Sequence, residues 1–207
     1  MNMRGKFIAL EGGEGSGKSS AVEFLKKELK DFNVVFTREP GGNDNAEEIR
    51  NVLVRSREDD LDVLTQILLF EASRRENMVK KVLPALEQGQ HVISDRFSAA
   101  TYGYQLVAGD GMQFEPLFNF VDPVVRENVY PDMTLYLDVD PDVGLSRKHA
   151  SGDELNAFDV KEAEFYTRVR EGMKKYIEDK PHMVIDANQE QQKVREEVKR
   201  AILSCIE

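Results

Sequence analysis

Cysteine is almost missing from this sequence. Cys205 stands alone, which excludes an intrachain disulfide and fits a reducing compartment. Near the end of a helical pattern, it reads as a small apolar residue. Long apolar runs are missing too: no stretch reaches the roughly 20 residues that a membrane-spanning helix needs. Met1-Asn2-Met3-Arg4-Gly5 carries neither the apolar region nor the cleavage site of a signal peptide. The expected location is the cytoplasm, with no membrane partner. Positive charge is in deficit, since 28 Lys and Arg against 38 Asp and Glu leave a formal charge of −10. That balance speaks against a surface that coats nucleic acid, whose backbone needs a basic stripe. Small phosphorylated ligands stay open if the few cations converge on one cleft. The histidines offer no metal-ligand spacing, for His91 and His182 open separate strands without a Cys or carboxylate pattern around them. With no repeat and no low-complexity linker, the 207 residues are expected to form one domain, 1–207.

What is present begins at Phe7-Ile8-Ala9-Leu10, an apolar run that leads into Glu11-Gly12-Gly13-Glu14-Gly15-Ser16-Gly17-Lys18-Ser19-Ser20. Gly12, four residues, then Gly17-Lys18-Ser19 is the spacing of a P-loop. There backbone N–H groups surround nucleotide phosphates, the lysine adds a point charge and the hydroxyl binds Mg²⁺. Glycines allow close approach to the anion, and the following helix points its positive end at it. The context agrees, with a strand before the loop and a helical period in Val22, Leu25 and Leu29 after it.

Strands and helices then alternate. Residues 33–37 form a second strand that stops at Pro40-Gly41-Gly42, and Asp44 with Glu47 opens a helix. A long helical pattern runs from Leu61 to Leu86, with a kink expected at Pro84 and an end at Gly89. Further strands are expected at 91–95, 133–138 and 182–186, and Phe114, Leu117, Phe118 and Val121 mark one helix face. The polar stretch 140–159 suits a mobile cover over a site. Strand cores that are apolar on both faces indicate an α/β fold with a parallel sheet covered on both sides. Ligands then bind outside the carboxyl ends of the strands. Glu11, Arg38-Glu39 and Asp95-Arg96 lie at three such ends.

If the loop holds ATP, a phosphorylated acceptor adds a second anion, and two unit charges about 4 Å apart repel by ~4 kcal/mol at an effective dielectric near 20. Lys18 and Mg²⁺ serve the donor, while Arg38 and Arg96 can clamp the acceptor phosphate. Asp95 can partner the cation, as a Walker-B aspartate does. Phe70 and Arg74 share a helix face and could stack on and read a nucleobase, although spacing alone makes Phe70 a core residue. A P-loop binding module or regulatory GTPase is the competing class. It is disfavoured because no Asn-Lys-x-Asp string is present and Arg96, not a switch glycine, follows Asp95.

The loop together with Thr37-Arg38-Glu39-Pro40-Gly41-Gly42, Leu69-Phe70 with Arg74, Asp95-Arg96-Phe97, Tyr104-Gln105 and Pro131-Asp132 through Val139 resembles thymidylate kinase over nearly the whole chain. The resemblance implies a three-layer P-loop kinase fold, a five-stranded parallel sheet flanked by helices, and a small lid at about residues 144–159. It implies ATP- and Mg²⁺-dependent conversion of dTMP to dTDP by a homodimer. By the same resemblance Gly12, Gly13, Gly15, Ser16, Gly17, Lys18, Ser19 and Ser20 cradle ATP, with Arg147 on its adenine side. Ser19 and Asp95 hold the metal. Glu14 faces the acceptor's 3′-hydroxyl, Arg38 and Arg96 its phosphate, and Phe70, Arg74, Thr101 and Gln105 its base. Tyr104 crowds the 2′ position. Four departures stand out: Asn43 for the usual Thr, Ser73 for Asp, Gly103 for Ala, and Asn156-Ala157-Phe158-Asp159 where the lid usually carries an arginine. Either Lys148 takes the role of that arginine or turnover is modest. The altered neighbours of the base pocket leave open another deoxynucleotide, including a 5-substituted dUMP.

Overall fold

The computed structural model describes residues 4–55, 61–149 and 157–206, with the side chains of 55, 148, 149 and 157–162 excepted. Lys148, proposed for catalysis, therefore has its side chain outside the described residues, and so do the departures at 156–159.

Five parallel strands, β1 (Phe7–Gly12), β2 (Val34–Arg38), β3 (His91–Asp95), β4 (Met133–Asp138) and β5 (His182–Asp186), lie in the order β2-β3-β1-β4-β5. Leu10 pairs with Asp95, and Arg38 pairs with Asp95 from the other side, so the charged strand ends fall on one rim. Residues alternate across β1. Ile8 and Leu10 face α1 (Lys18–Glu28) and α9 (Gln191–Ile206) through Leu25, Val198 and Ile202. Phe7 and Ala9 face the opposite layer, where Met78, Val82 and Leu86 cover them. That layer holds α3 (Val63–Asn77), α4 (Leu83–Glu87), α5 (Ser98–Thr101), α6 (Glu115–Val125) and α8 (Ala157–Ile177). Burial on both faces explains why the central strands are almost wholly apolar until Glu11 and Ser94.

The long helical pattern is interrupted before Pro84. It widens into a π-helical turn at Met78–Val82, in which the N–H of Leu83 donates to Met78 O. Proline lacks a donor and its ring collides with the carbonyl four residues back. The wider turn just before Pro84 removes both conflicts and restarts the helix with proline in its first turn. A second correction concerns α6. Phe118 is buried, but Leu117 is 38% exposed, and Phe120 and Val124 face solvent at 72% and 62%. The expected lid segment begins as a regular helix, α7 (Pro141–His149), seated against the phosphate loop, and 150–156 lie outside the described residues.

Gly103 has a structural cause. It lies in a π-helical segment, Tyr102–Ala108, that packs on α8, and a Cβ there would sit 2.8 Å from both Val169 O and Met173 Cγ. Gly172 meets the same segment from the other side, where its own Cβ would fall 2.9 Å from Gly103 Cα. The two backbones touch because neither residue has a side chain. Gly103→Ala is expected to destabilise the protein by about 1–3 kcal/mol through overpacking, read as a lower denaturation midpoint in urea. An unchanged midpoint would mean that α8 yields freely at this contact.

Candidate active site

The phosphate loop is drawn tight by its own lysine. Lys18 Nζ donates to Gly12 O at 2.7 Å, Gly13 O at 3.0 Å and Ser16 Oγ at 3.2 Å, and Ser16 Oγ donates to Gly13 O at 2.8 Å. Burial, followed by the nearby Arg96 charge, pulls the Lys18 ammonium down to about 7. Burial pushes the neighbouring Glu11 carboxyl up to about 7. A cavity of about 480 Å³ opens over the loop and is bordered by Ser19, Ser20, Arg38, Asp95 and Arg96. The sequence-derived strand-end residues thus meet.

A second cavity, about 460 Å³, lies under α3 and the π segment. Phe70, Arg74, Thr101, Tyr104 and Gln105 line it. Phe70 is therefore at a cavity wall and not in the core. Arg74 is 1% exposed, and each of its three guanidinium nitrogens is engaged from below. Its Nε donates to Glu39 Oε2 at 2.8 Å, Nη2 to Thr101 Oγ1 at 2.9 Å, and Nη1 to Glu71. Burial opposes the Arg74 charge, but Glu71, Glu39 and Asp122 outweigh it and hold the guanidinium protonated. Arg74 is a fixed floor donor, not a free arm. Arg96 lies 5.0 Å from the Tyr104 ring centroid, stacked as a cation on its face.

Four residues border both cavities: Glu14, Glu39, Arg50 and Arg96. Arg50 escaped the sequence reading because it lies mid-helix in α2 (Asp44–Arg55) with no motif around it. Its Nη1 donates to Pro40 O at 3.0 Å. Arg38 stands at the rim as expected, yet Glu47 holds it with two hydrogen bonds of 3.2 and 2.8 Å. Glu47 also accepts from the Gly42 N–H at 2.9 Å, so one carboxylate ties the arginine to the turn that carries it. Two departures also find work. Ser73 Oγ accepts from the Gly41 N–H at 2.9 Å, and Asn43 Oδ1 accepts from the Ala46 N–H at 3.2 Å, capping α2.

A third cavity, about 420 Å³, lies on the other side of the loop between Gly15, Arg147, Gln191, Val194 and Arg195. Arg147 donates to the carbonyls of Ala187, Asn188 and Gln189 at 2.6, 3.0 and 3.0 Å, and so staples α7 to the β5–α9 turn. α7 touches the loop itself: a Cβ at Gly15 would fall 2.1 Å from Gly144 O. Arg195 was missed as well. Its Nε donates to Ser20 Oγ at 2.8 Å, across 175 residues of chain, a pairing that no local spacing could reveal.

A phosphate loop that opens toward a base-sized cavity across shared cations is the geometry of a nucleotide kinase. A family model described as thymidylate kinase matches residues 10–198. The chain belongs to the thymidylate kinase family. It is 39% identical over 204 residues to a thymidylate kinase of Staphylococcus epidermidis, covering 97% of this chain and 98% of that one. It is 43% identical over 191 residues to one of Halalkalibacterium halodurans, covering 90% of each. The crystal structure of thymidylate kinase from Ehrlichia chaffeensis superposes with a TM-score of 0.78 at 33% identity, covering 96% and 99% of the two chains. For a thymidylate kinase of this geometry, the depressed Lys18 has a measurable consequence. A triphosphate held at Nζ would favour the charged form, so above pH 7 binding would take up a proton, and affinity would fall as pH rises. Calorimetric titration with ATP at pH 8, in buffers of different ionisation enthalpy, is expected to report uptake of up to about one proton. No uptake would mean that Lys18 is already charged in the free protein.

Proposed function

We propose a division of labour among these residues for the reaction of the family, phosphorylation of dTMP to dTDP with ATP as donor. The chain is a phosphotransferase of deoxynucleotide synthesis, on the route to dTTP. The observation that carries the assignment is the shared wall: a donor cradle and a base cavity meet at Glu14, Glu39, Arg50 and Arg96. An acceptor phosphate and a donor terminal phosphate can meet only there. Phosphoryl transfer is mostly positioning and charge stabilisation, so no covalent nucleophile is needed.

Lys18 and the loop N–H groups hold the donor phosphates, with Ser20 and Arg195 behind them and the donor's base in the cavity beside Arg147. Arg96, Arg50 and Arg38 receive the acceptor phosphate. Phe70 stacks on thymine over the floor made by Arg74 and Thr101, with Gln105 at its edge. Tyr104 closes the 2′ side of the sugar and Glu14 accepts from its 3′-hydroxyl. The residues present suit Mg²⁺: Ser19 and Asp95 offer a hydroxyl and a carboxylate at one cavity, hard oxygen donors of the kind Mg²⁺ takes alongside phosphates and water. Among the described residues no group of three or more His, Cys, Asp or Glu side chains is placed to hold a metal ion by itself. Bound there, Mg²⁺ would neutralise charge developing on the transferred group.

We also infer a single-domain, cytoplasmic homodimer. No described helix is long and apolar enough to cross a membrane. Leu68 on α3, 46% exposed, and Phe120 and Val124 on α6 are large apolar side chains on neighbouring helices, joined by the Arg75 Nη1–Val125 O hydrogen bond of 3.1 Å. A second copy presenting the same strip would bury it. Phe120→Asp is expected to shift the protein toward monomer in sedimentation velocity; an unchanged sedimentation coefficient would move the interface elsewhere.

The reaction itself is tested by a coupled ADP-release assay over a panel of nucleoside monophosphates. dTMP is expected to be the preferred acceptor, and Lys18→Ala should lower its turnover by orders of magnitude with the fold retained. Equal turnover of dGMP would remove Arg74 from base reading.

A further inference from the structure

Arg96 holds a backbone conformation that its side chain does not favour. Its φ is +72°, in the left-handed region that residues other than glycine, asparagine and aspartate seldom occupy. Such a residue persists only where its surroundings over-determine it. Here they do, on every polar group of the two flanking peptides, beginning with the Asp95 carbonyl, which accepts from the Glu39 N–H at 2.9 Å. The Arg96 N–H donates to Leu10 O at 2.9 Å. The Arg96 carbonyl accepts from Ser94 Oγ at 2.7 Å. The next N–H, on Phe97, donates to Glu11 Oε1 at 2.8 Å, and the same oxygen accepts from the Ala100 N–H at 3.2 Å.

We propose that Ser94 and Glu11 are positioning residues for acceptor phosphate, acting by locking the main chain of Arg96. Neither is assigned to binding, and both are almost fully buried, at 0% and 1% exposure. The lock has a directional effect. With φ negative the chain would leave β3 toward α5 on another path, and the guanidinium would lose its place between the Tyr104 ring, 5.0 Å away, and Gly12 O, 3.4 Å from Nη1. Gly12 O also accepts from Lys18 Nζ. The lock therefore fixes the acceptor-side arginine against the donor-side lysine through one carbonyl oxygen, and spares the protein the ordering of a long side chain when phosphate arrives. Ser94 supplies the hydroxyl that holds the Arg96 carbonyl. Glu11 supplies an acceptor that bridges the end of β1 to the first turn of α5.

The inference rests on the reading of Arg96 as a phosphate-binding residue, and the experiment separates the two. Dissociation constants for dTMP and for thymidine, which lacks the phosphate, are measured for wild type, Ser94→Ala, Ser94→Cys and Arg96→Ala. Ser94→Ala is expected to weaken dTMP three- to tenfold while thymidine stays within twofold. The weakly donating thiol of Ser94→Cys should fall between, and KM for ATP should not move. A purely structural serine would lower the melting temperature without changing the ratio of dTMP to thymidine affinity, and that result overturns the proposal. If Ser94→Ala does not fold, the ratio for Ser94→Cys decides in the same way. Arg96→Ala with unchanged dTMP affinity would instead remove Arg96 from the phosphate site.

Discussion

Like charges gathered at one rim of the sheet are the constraint on which the rest of this structure depends. Lys18, Arg38, Arg50 and Arg96 border one cavity, although the chain as a whole carries −10. Like charges that share a cavity raise one another's cost, and nearby carboxylates and dipoles offset it. Each cation is therefore held by something different: Lys18 by loop carbonyls, Arg38 by Glu47, Arg50 by Pro40 O, and Arg96 by a ring face and Gly12 O. Phosphate groups entering the cavity would relieve the repulsion, which supports the proposed phosphate site.

The sheet makes the cluster affordable by placing carboxylates behind it. Glu11, Glu39 and Asp95 come from the ends of β1, β2 and β3, and register puts Asp95 level with both Leu10 and Arg38. Beneath the cavity lined by Phe70 and Gln105, Glu39, Glu71 and Asp122 surround Arg74, and Asp122 also accepts from Arg126 Nε at 2.9 Å and Ser98 Oγ at 2.5 Å. A buried ion group of this kind contributes little net stability. What it gives the site is a floor of fixed geometry.

The strands and the phosphate loop were legible because period and motif are local signals. Phe7–Gly12 and His91–Asp95 announce themselves by an apolar run that ends on a charge. The π-helical turn before Pro84 was not legible, since the sequence says that proline disturbs a helix and not how the helix yields. Arg50 and Arg195 stayed hidden for another reason: each is an ordinary exposed-looking arginine within a helical pattern, and only the folding of α2 and α9 onto the loop gives it a place. Glu47 was legible as a helix-start carboxylate, yet its second role, holding Arg38, needs the turn at Gly41-Gly42 to bring the two together.

Arg74 and Arg38 illustrate two ways of using a guanidinium. Arg74 is 1% exposed, with donors committed to Glu39, Glu71 and Thr101, so it cannot rearrange without leaving buried carboxylates unpaired. Whatever lies on that floor must match it as it stands, which suits discrimination between bases. The Arg38 side chain is 54% exposed and that of its partner Glu47 34%, so exchanging the carboxylate for a phosphate oxygen costs little desolvation. In the proposed division of labour, recognition thus belongs to the buried arginine and exchange to the exposed one. Arg96, stacked on Tyr104 and fixed in its backbone, stands between them and borders both cavities.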